Sequence, residues 1–112
     1  MSAGRLTADL WVRAYLKRLE LAHIPAYVTR RGNADAGAVL VKCATLDGQA
    51  RAYQRSFDLM TGAREWMVLI EGPEREVDES VRKQISFDPD LWVIELESRE
   101  GRTLLEEEGL KD

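Results

Sequence analysis

Asp88, Asp90, Glu95 and Glu97 fall within ten positions of a 112-residue chain, and their types and spacing invite a chemical reading. Carboxylates bind hard cations, and on an extended strand Glu95 and Glu97 point to the same side. A calcium loop, however, takes about twelve residues with a glycine mid-way, and this spacing is different. Turn and capping duties for the aspartates, and a solvent-facing strand end for the glutamates, explain the four more simply. One histidine, His23, and one cysteine, Cys43, cannot supply the ligand set of a structural zinc site. As a nucleophile and its base they would have to meet in a cleft. A buried strand cysteine and a helix-end histidine are the simpler reading. No metal, no cofactor and no catalytic residue is assigned.

The basic residues form a second constellation. Arg51, Tyr53 and Arg55 alternate along one strand face, and Arg30 and Arg31 end another strand. A basic sheet face with an exposed aromatic holds single-stranded nucleic acid through phosphate contacts and base stacking. The net charge of −4 opposes a polyanion. That charge is unevenly divided, with ten Lys/Arg against five Asp/Glu up to Arg64 and six against fifteen from Glu65 onward. Such asymmetry marks a bipolar surface unless the two halves interleave in space. The segment Arg31–Gly37 has only two glycines, five apart, and lacks the Lys-Ser/Thr of a phosphate loop, so it reads as a turn.

These residues have to be positioned by one domain spanning 1–112, a length at which a single hydrophobic core suffices. With 45% hydrophobic and 32% charged residues the chain is an ordinary globular one. A lone cysteine excludes an internal disulfide, the first residues lack a signal-peptide apolar run, and no stretch reaches the roughly 18 apolar residues of a membrane span. A cytoplasmic location is expected.

Thr7 caps a helical pattern in which Trp11, Val12, Tyr15, Leu16, Leu19 and Ala22 share one face, and Pro25 stops it near His23. Trp11 and Tyr15, four apart on the apolar face, read as core rather than as a ligand platform. Three strands follow, Ala26–Arg30, Ala38–Ala44 and Gln49–Arg55, with Asp47-Gly48 as the hairpin signal between the last two. They are expected to form an antiparallel meander. Residues 56 to 64 read as a loop with two or three anchoring apolar side chains. Trp66–Ile70 is a fourth strand. Pro73 opens a helix whose buried stripe is Val77, Val81 and Ile85. Asp88-Pro89-Asp90 then launches Leu91–Leu96, apolar but for Glu95, as a central strand buried on both faces. Phe87, Leu91, Trp92, Val93 and Ile94 are assigned to the core, and Leu104–Leu110 to a last short helix.

Three segments in this order, Trp11–Arg18, Arg30-Arg31-Gly32 leading to Ala36-Gly37-Ala38, and Phe87–Val93, resemble a family of small bacterial proteins, the domain of unknown function numbered 1491. The likeness spans nearly the whole chain. It implies one compact bacterial cytosolic domain and carries no activity with it.

The expected architecture is therefore α+β: an antiparallel or mixed sheet of about five strands with both main helices on one face, in the order α-β-β-β-β-α-β plus the C-terminal helix. A crossover from Trp66–Ile70 through the second helix to Leu91–Leu96 would make the sheet mixed. Scarce catalytic groups and a divided charge favour a non-catalytic interaction module. It would hold a protein partner or a second copy on an open sheet face or edge strand, with Arg30, Arg31, Arg51, Tyr53 and Arg55 as binding residues. The alternatives are a nucleic-acid-binding domain on the basic sheet face and a small enzyme with an Asp/Glu/Arg site.

Overall fold

In the computed structural model, which describes residues 6–110, Thr7 Oγ1 accepts a hydrogen bond from the Leu10 amide at 3.4 Å and starts helix α1 (Ala8–Leu21). Its buried side chains include Trp11, Val12, Tyr15 and Leu19, the stripe that helical spacing places on one face. His23 adopts a left-handed φ of 61° before Pro25, and the chain leaves the helix there. Strands β1 (Ala26–Arg30), β2 (Val39–Ala44), β3 (Gln49–Phe57) and β4 (Arg64–Pro73) follow, then helix α2 (Glu74–Phe87) and strand β5 (Trp92–Glu97). The element order and the five-stranded mixed sheet agree with the sequence reading.

The strand order is β1-β5-β2-β3-β4. β5 runs parallel to β2 and antiparallel to β1, while β2, β3 and β4 form an antiparallel meander. β4 and β5 thus point the same way, joined by the α2 crossover. The meander expected from the first three strands is corrected here, because β1 pairs with β5. β5 takes an inner place in the sheet, between β1 and β2, where its apolar residues are covered on both faces.

The two helices lie on opposite faces, not on one. Every residue of β2 is buried. Val39, Val41 and Cys43 join Trp11, Tyr15 and Leu19 of α1, together with Trp92, Ile94 and Leu96 of β5. Leu40 and Val93 join Val77 and Val81 of α2, with Ala50 and Ala52 of β3. A central strand apolar on both faces requires a cover on each, and one helix supplies each cover.

The expected C-terminal helix is replaced by a chain of turns. Leu104 has φ 64° and Gly109 φ 86°, values that a right-handed helix does not contain. The segment instead lies beside α1, burying Leu104, Leu105 and Leu110. Tyr15 Oη donates to the Thr103 carbonyl at 2.9 Å, and Trp66 Nε1 to that of Leu110 at 3.2 Å. Residues 56 to 64 are a hairpin rather than an anchored loop. β3 and β4 extend into a ribbon whose tip exposes Leu59 and Met60 at 89% and 93%. Phe87 is not core but 72% exposed. It stands two residues past Ile85, about 200° around the helix from the buried stripe.

Candidate functional site

Gly32 and Gly37 shape the region where the three family-like segments meet. A Cβ on either would strike the Asp90 carbonyl oxygen, and on Gly32 it would also come 2.6 Å from Trp92 Cδ1. Without those side chains, the Arg31–Ala38 loop lies directly on the turn that launches β5. The Asn33 amide donates to the Asp90 carbonyl at 3.0 Å, and Trp92 Nε1 donates to the Asn33 carbonyl at 2.8 Å. Asn33 Oδ1 accepts from the amides of Asp35 and Ala36, both at 3.0 Å, which closes the loop on itself. The carbonyls of Ala34 and Asp35 then accept from the first amides of α1, Asp9 at 2.9 Å and Ala8 at 3.2 Å. Main chain thus satisfies helix-end donors that an anion would otherwise claim.

This loop directs β2 towards β5 and away from β3. The β2–β3 ladder ends at Val41↔Tyr53, whereas the β3–β4 ladder continues to Phe57↔Arg64. A register shift at Ala52/Tyr53, with Leu69 as the extra residue on β4, bends the ribbon at the same level. Where the ladders part, a cleft of about 770 Å³ opens between the start of α1 and the end of α2. Thr7, Ala8 and Trp11 line it from α1, Asp35 to Ala38 from the loop, and Val39 and Leu40 from β2. Gln54, Arg55 and Arg64 line it from the ribbon, and Gln84, Asp88 and Leu91 from the α2–β5 side. Its size is that of a small-ligand or peptide site.

Arg55 is the best-defined side chain in the cleft. Its guanidinium carbon lies 4.8 Å from the ring centres of both Trp11 and Trp66, whose own centres are 5.5 Å apart. Each cation–π contact contributes about 0.5–2 kcal/mol, more as water is excluded. Trp11 and Tyr15 stack at 4.9 Å and are core, as their spacing indicated. The Trp11 Nε1 donor is buried at this wall with no hydrogen-bond acceptor among the described residues.

The sequence-derived binding residues are not brought together. Arg30 Nη2 donates to the Pro89 carbonyl at 3.0 Å, and Arg31 lies 5.3 Å above the Trp92 ring, so both brace the β5 turn. Arg51 pairs with Glu71 at 3.3 Å and reaches Tyr53 Oη at 3.5 Å in a separate shallow depression that Arg99 also lines. Only Arg55 faces the cleft. The four carboxylates are likewise dispersed, and no group of metal-ligating side chains occurs among the described residues. Asp88 Oδ1 caps its turn through the Asp90 amide at 3.0 Å. Cys43 is buried, its thiol pushed up in pKa by that burial, while His23 is exposed beyond α1.

One buried charge escaped the sequence reading. Lys42 sits mid-strand on the α2 face, its side chain 4% exposed, with Nζ 2.7 Å from Glu74 Oε2, 2.5 Å from Asp78 Oδ1 and 3.5 Å from Glu95 Oε1. Burial lowers its pKa, but the bonds to Asp78 and Glu74 and the charge of Glu95 outweigh that, and the net shift is upward. The available signal was a lysine inside an otherwise apolar strand, with two acids four apart on the covering helix.

Comparison with known proteins bears on the whole arrangement. A family model described as a protein of unknown function, DUF1491, matches residues 6–106. The chain belongs to the DUF1491 family. A DUF1491 family protein from Caulobacter crescentus CB15, in its crystal structure, is 38% identical with a TM-score of 0.80, over 91% of this chain and 94% of that one. An NMR structure of a DUF1491 family protein from the same organism gives 39% identity and a TM-score of 0.80, over 90% and 93%. A solution structure of a protein from A. tumefaciens is 26% identical with a TM-score of 0.73, over 84% and 86%. No match to the chain is found among curated proteins. The DUF1491 match takes in the residues of α1, the Arg31–Ala38 loop, β2, the ribbon and the α2–β5 side that wall the cleft, while Gly109, which also lines it, lies beyond the match.

Proposed function

We propose that the protein is a non-catalytic interaction module of the bacterial cytoplasm, holding an extended peptide segment of a protein partner in the cleft between β2 and β3. The observation that carries this reading is the parted ladder. Val39 and Leu40 on one side and Gln54 to Phe57 on the other belong to strands that no longer pair with each other. An added peptide strand gains main-chain hydrogen bonds from such an edge and specificity from neighbouring pockets. The lining suits a peptide: guanidiniums of Arg55 and Arg64 on the ribbon, carboxylates of Asp35 and Asp88 across from it, and Trp11 and Leu91 as apolar surface. A polyanion would meet those two carboxylates, which weighs against nucleic acid in this cleft. A free buried thiol and no disulfide suit a reducing compartment.

The test is selection from a phage-displayed library of ten-residue peptides, followed by amide exchange on the protein with a selected peptide bound. Slowed exchange at residues 38–40 and 54–57, and at least tenfold weaker binding by Arg64→Glu, are expected. An empty selection, or protection confined to another surface, removes the reading.

The nucleic-acid alternative has one favourable observation, the Arg51, Tyr53 and Arg99 side chains around a depression of about 350 Å³. Arg51 is already paired with Glu71, and Tyr53 is half-buried. A single-stranded oligonucleotide whose binding falls steeply with salt would favour this alternative.

A further inference from the structure

Among the described residues, β4 forms one edge of the sheet, with β3 on its inner side and no strand on its outer side. Its centre, Trp66-Met67-Val68-Leu69-Ile70, is five consecutive apolar residues, of which Met67 and Val68 are 50% and 44% exposed. A long apolar edge is a template for further strand pairing unless a charge, a proline or a cover blocks it. Here the charges stand at the ends, Arg64 and Glu65 on one side and Glu71 on the other, with Pro73 beyond.

We propose that a second copy of this chain covers β4, through antiparallel pairing of β4 with its two-fold mate. The register follows from the bulge. Trp66 and Val68 pair with Arg55 and Tyr53, on the α1 face, whereas Ile70 pairs with Ala52, on the α2 face, so Leu69 is the extra residue. Glu71, opposite Arg51, returns to the α1 face beside Arg64. A two-fold axis at Met67, with Val68 and Leu69 together opposing the partner's Trp66, keeps every opposed pair on a common face. In that register Arg64 of each copy lies against Glu71 of the other, and the exposed Met67 side chains meet on the axis. Both ends of the pairing then carry opposite charges, about eight residues apart. A shift of one residue would oppose side chains from different faces. The interface is isologous, as a two-fold requires. It lies along the outer side of the ribbon and shares only Arg64 with the lining of the cleft between β2 and β3.

The test is sedimentation of the full chain from micromolar to millimolar concentration. The wild type should approach twice the 12.7 kDa chain mass as concentration rises. Met67→Lys, which places two ammonium groups on the axis, should raise the dimer dissociation constant at least tenfold. Arg64→Glu should do the same by opposing two carboxylates, and Arg64→Glu with Glu71→Arg should restore association. Circular dichroism of each variant separates loss of pairing from loss of fold. A wild type that stays monomeric at millimolar concentration overturns the proposal. So does a dimer indifferent to Met67→Lys, or a folded double charge reversal that fails to restore association.

Discussion

Trp92 Nε1 donates to the Asn33 carbonyl at 2.8 Å and so fastens the central strand to the loop that seats α1. Trp92→Phe keeps a ring but removes one of the two donors to that carbonyl, which retains the Gly37 amide at 3.1 Å, at a cost of about 0.5–1.5 kcal/mol. Urea unfolding should show that loss, with faster amide exchange at 33–37 than at β4. Uniform change across both regions would show that the bond does not hold the loop in particular.

Gly32 should tolerate nothing larger. A methyl group there meets main chain at Asp90 and Leu91 rather than the end of a movable side chain. Gly32→Ala should destabilise by about 3 kcal/mol, at the upper end of the range for overpacking that forces a backbone shift. Gly62→Ala is the comparison, since a Cβ there meets open space and only its φ of 74° is strained. It should cost about 1 kcal/mol. Equal losses in the two variants would contradict the close approach of loop and turn.

Lys42→Ala should lower stability by about 1–3 kcal/mol, because it removes a buried stem and ammonium while the three carboxylates, each more than a third exposed, remain solvated. Lys42→Met, which refills the volume without the charge, should recover part of that. Denaturant midpoints of the two variants measure the difference. A Lys42→Ala protein as stable as wild type would mean that neither the buried stem nor the ammonium stabilises the fold.

The pKa shifts place pH sensitivity on the alkaline side. Cys43 is raised from 9.0, mainly by burial, so the unfolded chain releases that proton first as pH rises. Lys42 is also raised, from 10.5, so its contribution is complete below that value and is lost as pH climbs through the higher folded value. Stability should therefore decline above about pH 9 and more steeply above about pH 10.5. Tyr15, raised from 10.0 mainly by burial, adds to the decline above about pH 10, so Lys42→Met should make the steep part shallower without abolishing it. A wild-type curve that stays level through pH 11 would be inconsistent with these shifts.

What could be read from the sequence follows a physical division. Local signals sufficed for Thr7, the Pro25 stop, Asp47-Gly48 and the Val77/Val81/Ile85 stripe, because caps, turns and periodicity act within a few residues. The double burial of Leu91–Leu96 was equally legible, and it already implied a cover on each face, which placing both helices together contradicted. Pairing of β1 with β5, sixty-odd residues apart, leaves no local trace. The cleft was out of reach for the same reason, since it arises where two ladders diverge. The five basic and aromatic site residues share a strand parity or a dipeptide, and only the fold shows that they serve three separate places.

The buried Cys43 has a practical consequence at the far end of the molecule. It is 1% exposed beneath α1, and its thiol is held in the protonated form, so it offers maleimide reagents neither access nor thiolate. Thr61→Cys, at the exposed ribbon tip, should accordingly react alone at neutral pH, giving one label per chain by mass spectrometry. A dye attached there would sense the approach of another molecule along the ribbon, with the native cysteine left in place.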